Sequence, residues 1–136
     1  MFDKYIVCDD SLRGRTDGRP GGVVQVRMPY YRGLGLSMVE AVDLTLDGTP
    51  IPAERTNFTV HGNTYTFAEL PSVFDDRWEM GEPADLTFET DQPVEAGDHQ
   101  VAIAVRLRIS YMPVPSGGRD VKTLSLTTPT DLDGTR

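Results

Sequence analysis

The chain has 136 residues, a formal net charge of −8 and a single cysteine, Cys8. That length describes one domain, able to bury a core without disulfide or metal staples, and one cysteine excludes an intrachain disulfide. So acidic a chain repels phosphate backbones, which excludes nucleic acid as the expected partner, and no run reaches the roughly 20 apolar residues of a membrane-spanning helix.

Thirteen glycines and ten prolines, scattered along the chain, favour many short strands over long helices. Tyr5–Cys8 opens the first predicted strand. Val24, Val26 and Met28 then alternate with Gln25 and Arg27. Between Leu36 and Leu46 the even positions Leu36, Met38, Val42, Leu44 and Leu46 form an apolar face. Glu40 intrudes on that face, and a carboxylate there needs a partner. Asp47-Gly48 supplies a type I′ turn. Phe58 and Val60 lead into a turn at His61-Gly62-Asn63, and Thr64–Phe67 returns. Ala68-Glu69-Leu70 before Pro71 suggests one helical turn. Leu86 and Phe88 mark another strand. The cleanest alternation runs from Val101 to Tyr111, with Val101, Ile103, Val105, Leu107 and Ile109 on one face. Val121–Leu126 makes a late strand. Strands at this spacing predict an all-β fold, an antiparallel β-sandwich over residues 1–126. Residues 127–136 are expected to be a disordered tail.

No catalytic constellation is legible. His61 lies in a turn and His99 starts a strand, with no second or third ligand at metal spacing. Asp75, Asp76, Glu79 and Glu82 cluster near Trp78 without a calcium-loop pattern, so a solvated loop is the simpler reading. The serines fit no nucleophile motif. Gly33-Leu34-Gly35 and Gly117-Gly118 lack phosphate-loop spacing. Cys8 precedes Asp9 and Asp10, which oppose thiolate formation, and reads as a reduced structural thiol. The start of the chain has no basic region followed by an apolar run, so a cytoplasmic protein is expected. Charge is uneven: residues 36–100 hold fourteen acids against Arg55 and Arg77. Ordinary solubility explains that, and an acidic face that steers a partner is the alternative.

Three segments stand apart: Met28–Leu34, Asp75–Gly81 and Ile109–Pro115. Each sets aromatic, Met or Arg residues beside Pro or Gly, the residue types enriched in interface cores. They predict a partner interface built from Tyr30, Tyr31, Arg32, Arg77, Trp78, Tyr111, Met112 and Pro113. The competing reading makes Trp78 and the tyrosines plugs at the ends of the core.

These same strings carry a resemblance. Asp76-Arg77-Trp78-Glu79-Met80-Gly81-Glu82, Pro29-Tyr30-Tyr31-Arg32-Gly33-Leu34 and Arg108-Ile109-Ser110-Tyr111-Met112-Pro113-Val114-Pro115 resemble the β subunits of bacterial C-glycoside deglycosidases. Met1-Phe2-Asp3-Lys4-Tyr5 and Arg119-Asp120-Val121-Lys122-Thr123-Leu124 are similar as well, so the likeness spans residues 1 to about 126 in matching order. The resemblance implies a small β-sandwich paired with a larger α subunit of (β/α)8-barrel type in a hetero-oligomer. It implies a divalent metal, Mn2+, and the acid–base residues on that α subunit. No catalytic, metal or cofactor-binding residue is implied on this chain. The implied reaction is a carbon–carbon lyase reaction on a 3-oxo-C-glycoside, as in flavonoid C-glycoside catabolism. A non-catalytic carbohydrate-binding or protein-interaction sandwich is the alternative, since Tyr30, Tyr31 and Trp78 would also suit stacking on sugar rings. A self-sufficient hydrolase is a third reading, which activity from this chain alone would favour.

Overall fold

In the computed structural model, which describes residues 6–15, 18–28, 33–79, 81–108 and 116–126, apolar alternation becomes antiparallel pairing. The strands are β1 (Arg13–Gly14), β2 (Gly21–Arg27), β3 (Leu34–Gly35), β4 (Val39–Leu46), β5 (Thr49–Ile51), β6 (Thr56–Val60), β7 (Asn63–Thr66), β8 (Arg77–Trp78), β9 (Pro83–Glu89), β10 (Gly97–Leu107) and β11 (Ser116–Leu126). One sheet has the order β1-β2-β9-β6-β7, a second β11-β10-β4-β5, and a small ribbon joins β3 to β8. No described helix is long and apolar enough to cross a membrane.

The fold is the expected antiparallel sandwich. Val24, Val26, Phe58, Val60, Leu86 and Phe88 of the first sheet share one core with Val42, Leu44, Val101, Ile103, Val105 and Leu124 of the second. The long strands contribute alternate residues to that core, as a two-residue period requires.

Two hairpin turns carry positive φ at both central residues, the type I′ signature. They are Asp47-Gly48 (φ 51 and 84) and His61-Gly62 (φ 55 and 79). The sheets are also stitched along one side. Val7 bridges to Val26 of the first sheet. Its N–H donates to the buried Asp120 carboxylate of β11 at 3.0 Å, and its carbonyl accepts from Lys122 Nζ at 2.6 Å.

Three local expectations are corrected. Leu36–Met38 is a 3-10 turn and not the start of a strand. The helical turn falls at Leu70–Ser72, a 3-10 turn with Pro71 in its first positions, and not at Ala68–Leu70. The late strand begins at Ser116 and not at Val121. Glu40 is explained by the β4–β10 pairing. Arg106 pairs with Ala41, but Leu107 pairs with Val39, so the register shifts and Glu40 is the extra residue of a bulge. Val39 is buried in the core, and Glu40 meets Arg106 and Arg108 instead. The expected tail over 127–136 lies outside the described residues.

Candidate docking surface

The three unusual segments are far apart in sequence, yet their stems meet at one end of the sandwich. Segment one leaves β2 and enters β3, which pairs with β8 of segment two through Leu34–Trp78 and Gly35–Arg77. The Leu36 N–H donates to the Asp76 carbonyl at 3.0 Å, and the Ser37 N–H to the Val73 carbonyl at 3.1 Å. Arg77 Nη2 donates to the Gly33 carbonyl at 3.0 Å. Gly33 suits this approach: a Cβ there would lie 2.9 Å from the Glu79 Cα. Segment three is the β10–β11 connection, whose stem pairs Leu107 with Ser116. The Arg108 N–H, just before it, donates to the Met38 carbonyl at 2.8 Å, which ties it to the 3-10 turn that follows β3.

Of the predicted interface residues, Arg77 and Trp78 are described. Tyr30, Tyr31, Arg32, Tyr111, Met112 and Pro113 lie outside the described residues. The Arg77 side chain is exposed at this end and reaches Glu79 Oε2 at 3.2 Å. Trp78 is wholly enclosed. Its ring meets Phe58 edge-on, with centroids 5.1 Å apart, and its Nε1–H donates to the Glu82 carbonyl at 2.8 Å. An enclosed ring offers no surface to a partner, so Trp78 acts as the plug that positions this loop.

Of the four acids near Trp78, Asp75 and Glu79 are exposed, while Asp76 and Glu82 are internal acceptors more than solvated charges. Asp76 Oδ1 lies 2.8 Å from His61 Nδ1, and Asp76 Oδ2 accepts from the Tyr65 hydroxyl at 2.8 Å. Glu82 Oε2 lies 2.7 Å from His61 Nε2, while Glu82 Oε1 accepts the Glu79 N–H at 3.0 Å. Two carboxylates facing both ring nitrogens suit an imidazolium, which donates twice. The hydrogen bond to Asp76, with the charge of Glu82, raises the His61 pKa. Burial pushes Asp76 upward, but hydrogen bonds from His61, Tyr65 and the Arg77 N–H outweigh it and hold its carboxyl below the ordinary value. The β6–β7 hairpin is thereby clamped onto the loop that carries Arg77.

A second charge cluster borders the same end. Glu40 accepts from Arg106 Nε at 3.1 Å and also pairs with Arg108, both guanidinium groups being exposed. At the opposite end, an open groove of about 690 Å3 lies between the β4–β5 hairpin and the β9–β10 loop. There His99 contacts Asp47 at 2.6 Å and the Glu95 carbonyl at 2.6 Å. Burial lowers the His99 pKa, but these two acceptors outweigh it and the net shift is upward. Cys8 is buried, and burial raises its pKa, so its thiol is no activated nucleophile. Among the described residues no group of three or more His, Cys, Asp or Glu side chains could hold a metal ion.

One surface residue escaped the sequence reading. Phe74, just before segment two, is 81% exposed. Nothing in its spacing distinguishes it from the buried Val73. Its place between Pro71-Ser72 and two aspartates was the only available hint.

The chain is similar to known proteins over most of its length. The family model described as C-glycoside deglycosidase beta subunit matches residues 2–111. The chain is 36% identical over 97 residues to a C-glycoside deglycosidase beta subunit of Arthrobacter globiformis, covering 70% of this chain and 74% of that one. It is 37% identical over 98 residues to a protein of the same description from Microbacterium trichothecenolyticum, covering 72% and 73%. It is 32% identical over 114 residues to a 3'-dehydrocarminate deglycosidase beta subunit of a Microbacterium species, covering 84% and 83%. A family match over most of the chain, on a sandwich where the stems of the three unusual segments meet at one end, identifies the protein as a member of the C-glycoside deglycosidase beta subunit family.

Proposed function

We propose that this chain is the accessory subunit of a cytoplasmic carbon–carbon lyase, and that it docks on its catalytic α subunit through the end where the stems of the three segments meet. The observation that carries this reading is that meeting of stems, in a chain whose relatives are named as beta subunits.

The chemistry explains why a second subunit is needed. A C–C glycosidic bond has no leaving oxygen to protonate. A ketone at the sugar 3-position acidifies the neighbouring C2 proton, so a base can remove it to give an enolate. Collapse of that enolate breaks the bond to the aglycone, which leaves with the bonding electrons and takes up a proton. The 3'-dehydro substrate in the name of one relative suits such an oxidised sugar. A divalent metal on the partner, Mn2+ by the same family logic, would supply positive charge for the enolate. The partner is read as a (β/α)8 barrel, whose active site opens among loops at one face. On this reading the present chain orders those loops and keeps water from them.

Reconstitution tests the proposal. The purified chain and its cognate α subunit are assayed separately and mixed, on a 3-oxo-C-glycoside with release of the aglycone followed by chromatography. Turnover is expected only from the mixture, which should co-elute as one complex. Turnover by this chain alone, or an α subunit equally active without it, would overturn the assignment.

A further inference from the structure

Phe74 differs from its neighbours in sequence. Leu70, Val73 and Trp78 are buried, while most of the Phe74 ring stands in solvent. The loop that carries it is pinned on both sides. The Val73 N–H donates to the Leu70 carbonyl at 3.0 Å, closing a 3-10 turn that Pro71 stiffens. The Val73 carbonyl accepts from Ser37, and the Asp76 carbonyl from Leu36. The Asp76 side chain is gripped by His61 and Tyr65. The ring is therefore presented by a fixed loop, which reduces the ordering cost of using it in binding. The stretch around it also exposes Glu69, Asp75 and Glu79 against one base, Arg77, which pairs with Glu79, so it is net acidic.

We propose that Phe74 is the aromatic anchor of the docking surface, inserting into an apolar pocket of the α subunit whose rim carries lysine or arginine. The proposal rests on the accessory-subunit reading above. An exposed aromatic on a fixed loop, flanked in sequence by exposed charges, has the make-up of an interface hot spot with a polar rim. The acids select the occupant. A second copy of this chain would meet the patch with itself across a two-fold axis, setting two net-negative surfaces against each other. An anionic lipid surface would be repelled by the same charges.

The test uses the full chain and its cognate α subunit. Binding of wild type, Phe74→Ala and Phe74→Leu is measured by calorimetry at two salt concentrations. Urea unfolding of each isolated chain and its sedimentation are recorded alongside. Phe74→Ala is expected to unfold at the wild-type midpoint and to bind about 30-fold or more weakly. Phe74→Leu is expected to keep most of the affinity, and Asp75→Asn to flatten the salt dependence. Wild-type affinity in Phe74→Ala would overturn the anchor while leaving the accessory role standing. A wild-type dimer that Phe74→Ala converts to monomer would overturn the choice of occupant. Failure of the wild-type chain to bind the α subunit would remove the accessory reading itself.

Discussion

His61 occupies a left-handed position, φ 55, where a glycine would sit with less strain. Its ring is used on both sides, by Asp76 and by Glu82. The two partners bind protons in opposite senses. The raised pKa of His61 means that its stabilisation is fully present below the unfolded value of about 6.5, and is lost as pH rises through the folded value. The depressed pKa of Asp76 means that its contribution is present above the unfolded value and is lost as pH falls through the folded one. The clamp is therefore firmest from mildly acidic to near-neutral pH. In an NMR titration the His61 ring should stay protonated above the range of a free histidine, and Asp76→Asn should bring its midpoint down. A His61 midpoint at or below that of a free histidine would refute the clamp. The sequence placed His61 in a turn, correctly, and read Asp76 and Glu82 as solvated. Their use as acceptors depends on a hairpin folding across to them, which no local pattern encodes.

The small β3–β8 ribbon does at the level of elements what the clamp does for side chains. It fastens segment one to segment two across 44 positions of sequence, as the Arg77–Gly33 bond shows. Gly33 lies where the two backbones approach closely, against Glu79 Cα. Gly33→Ala should push them apart at a cost of about 1–3 kcal/mol, read as a lower urea midpoint. It should also weaken binding of the α subunit, because the stems of the docking segments would shift together. An unchanged midpoint and affinity would show that the ribbon yields freely. The two long strands illustrate what periodicity can convey. β10 buries every odd position from Val101 to Leu107, with Ala102 buried besides. β4 follows its alternation only from Val42 to Leu46, because a bulge is a property of two paired strands. Glu40 looked like an intruder since the register shift that removes it belongs to its partner, Arg106–Leu107.

At the scale of the molecule, the sandwich was legible because its core obeys a two-residue period in most long strands, and because Asp47-Gly48 and His61-Gly62 advertise their turns. Less of β11 was legible. Its first half contains Gly117, Gly118, Arg119 and Asp120, none of which signals a core. Asp120 is buried there only because Lys122 and the Val7 N–H meet it from another part of the chain. The proposed docking end was suggested by composition and not by shape. The aromatic and proline residues of the three segments led to the expectation of an interface, whereas the meeting of their stems follows from long-range pairing. Phe74 shows the same limit, since exposure is set by what the rest of the fold leaves uncovered.

Trp78 is the sole tryptophan of the chain, and it lies sealed against Phe58. That makes it a built-in optical reporter of one event. Its emission should sit to the blue, resist quenching by iodide and shift to the red when the chain unfolds. Because the ring faces inward, docking should barely disturb that signal, whereas damage to the scaffold should change it at once. A variant with wild-type emission and lost affinity has therefore been altered at its contact surface. A variant with a red-shifted spectrum has been altered in the framework that holds that surface in place.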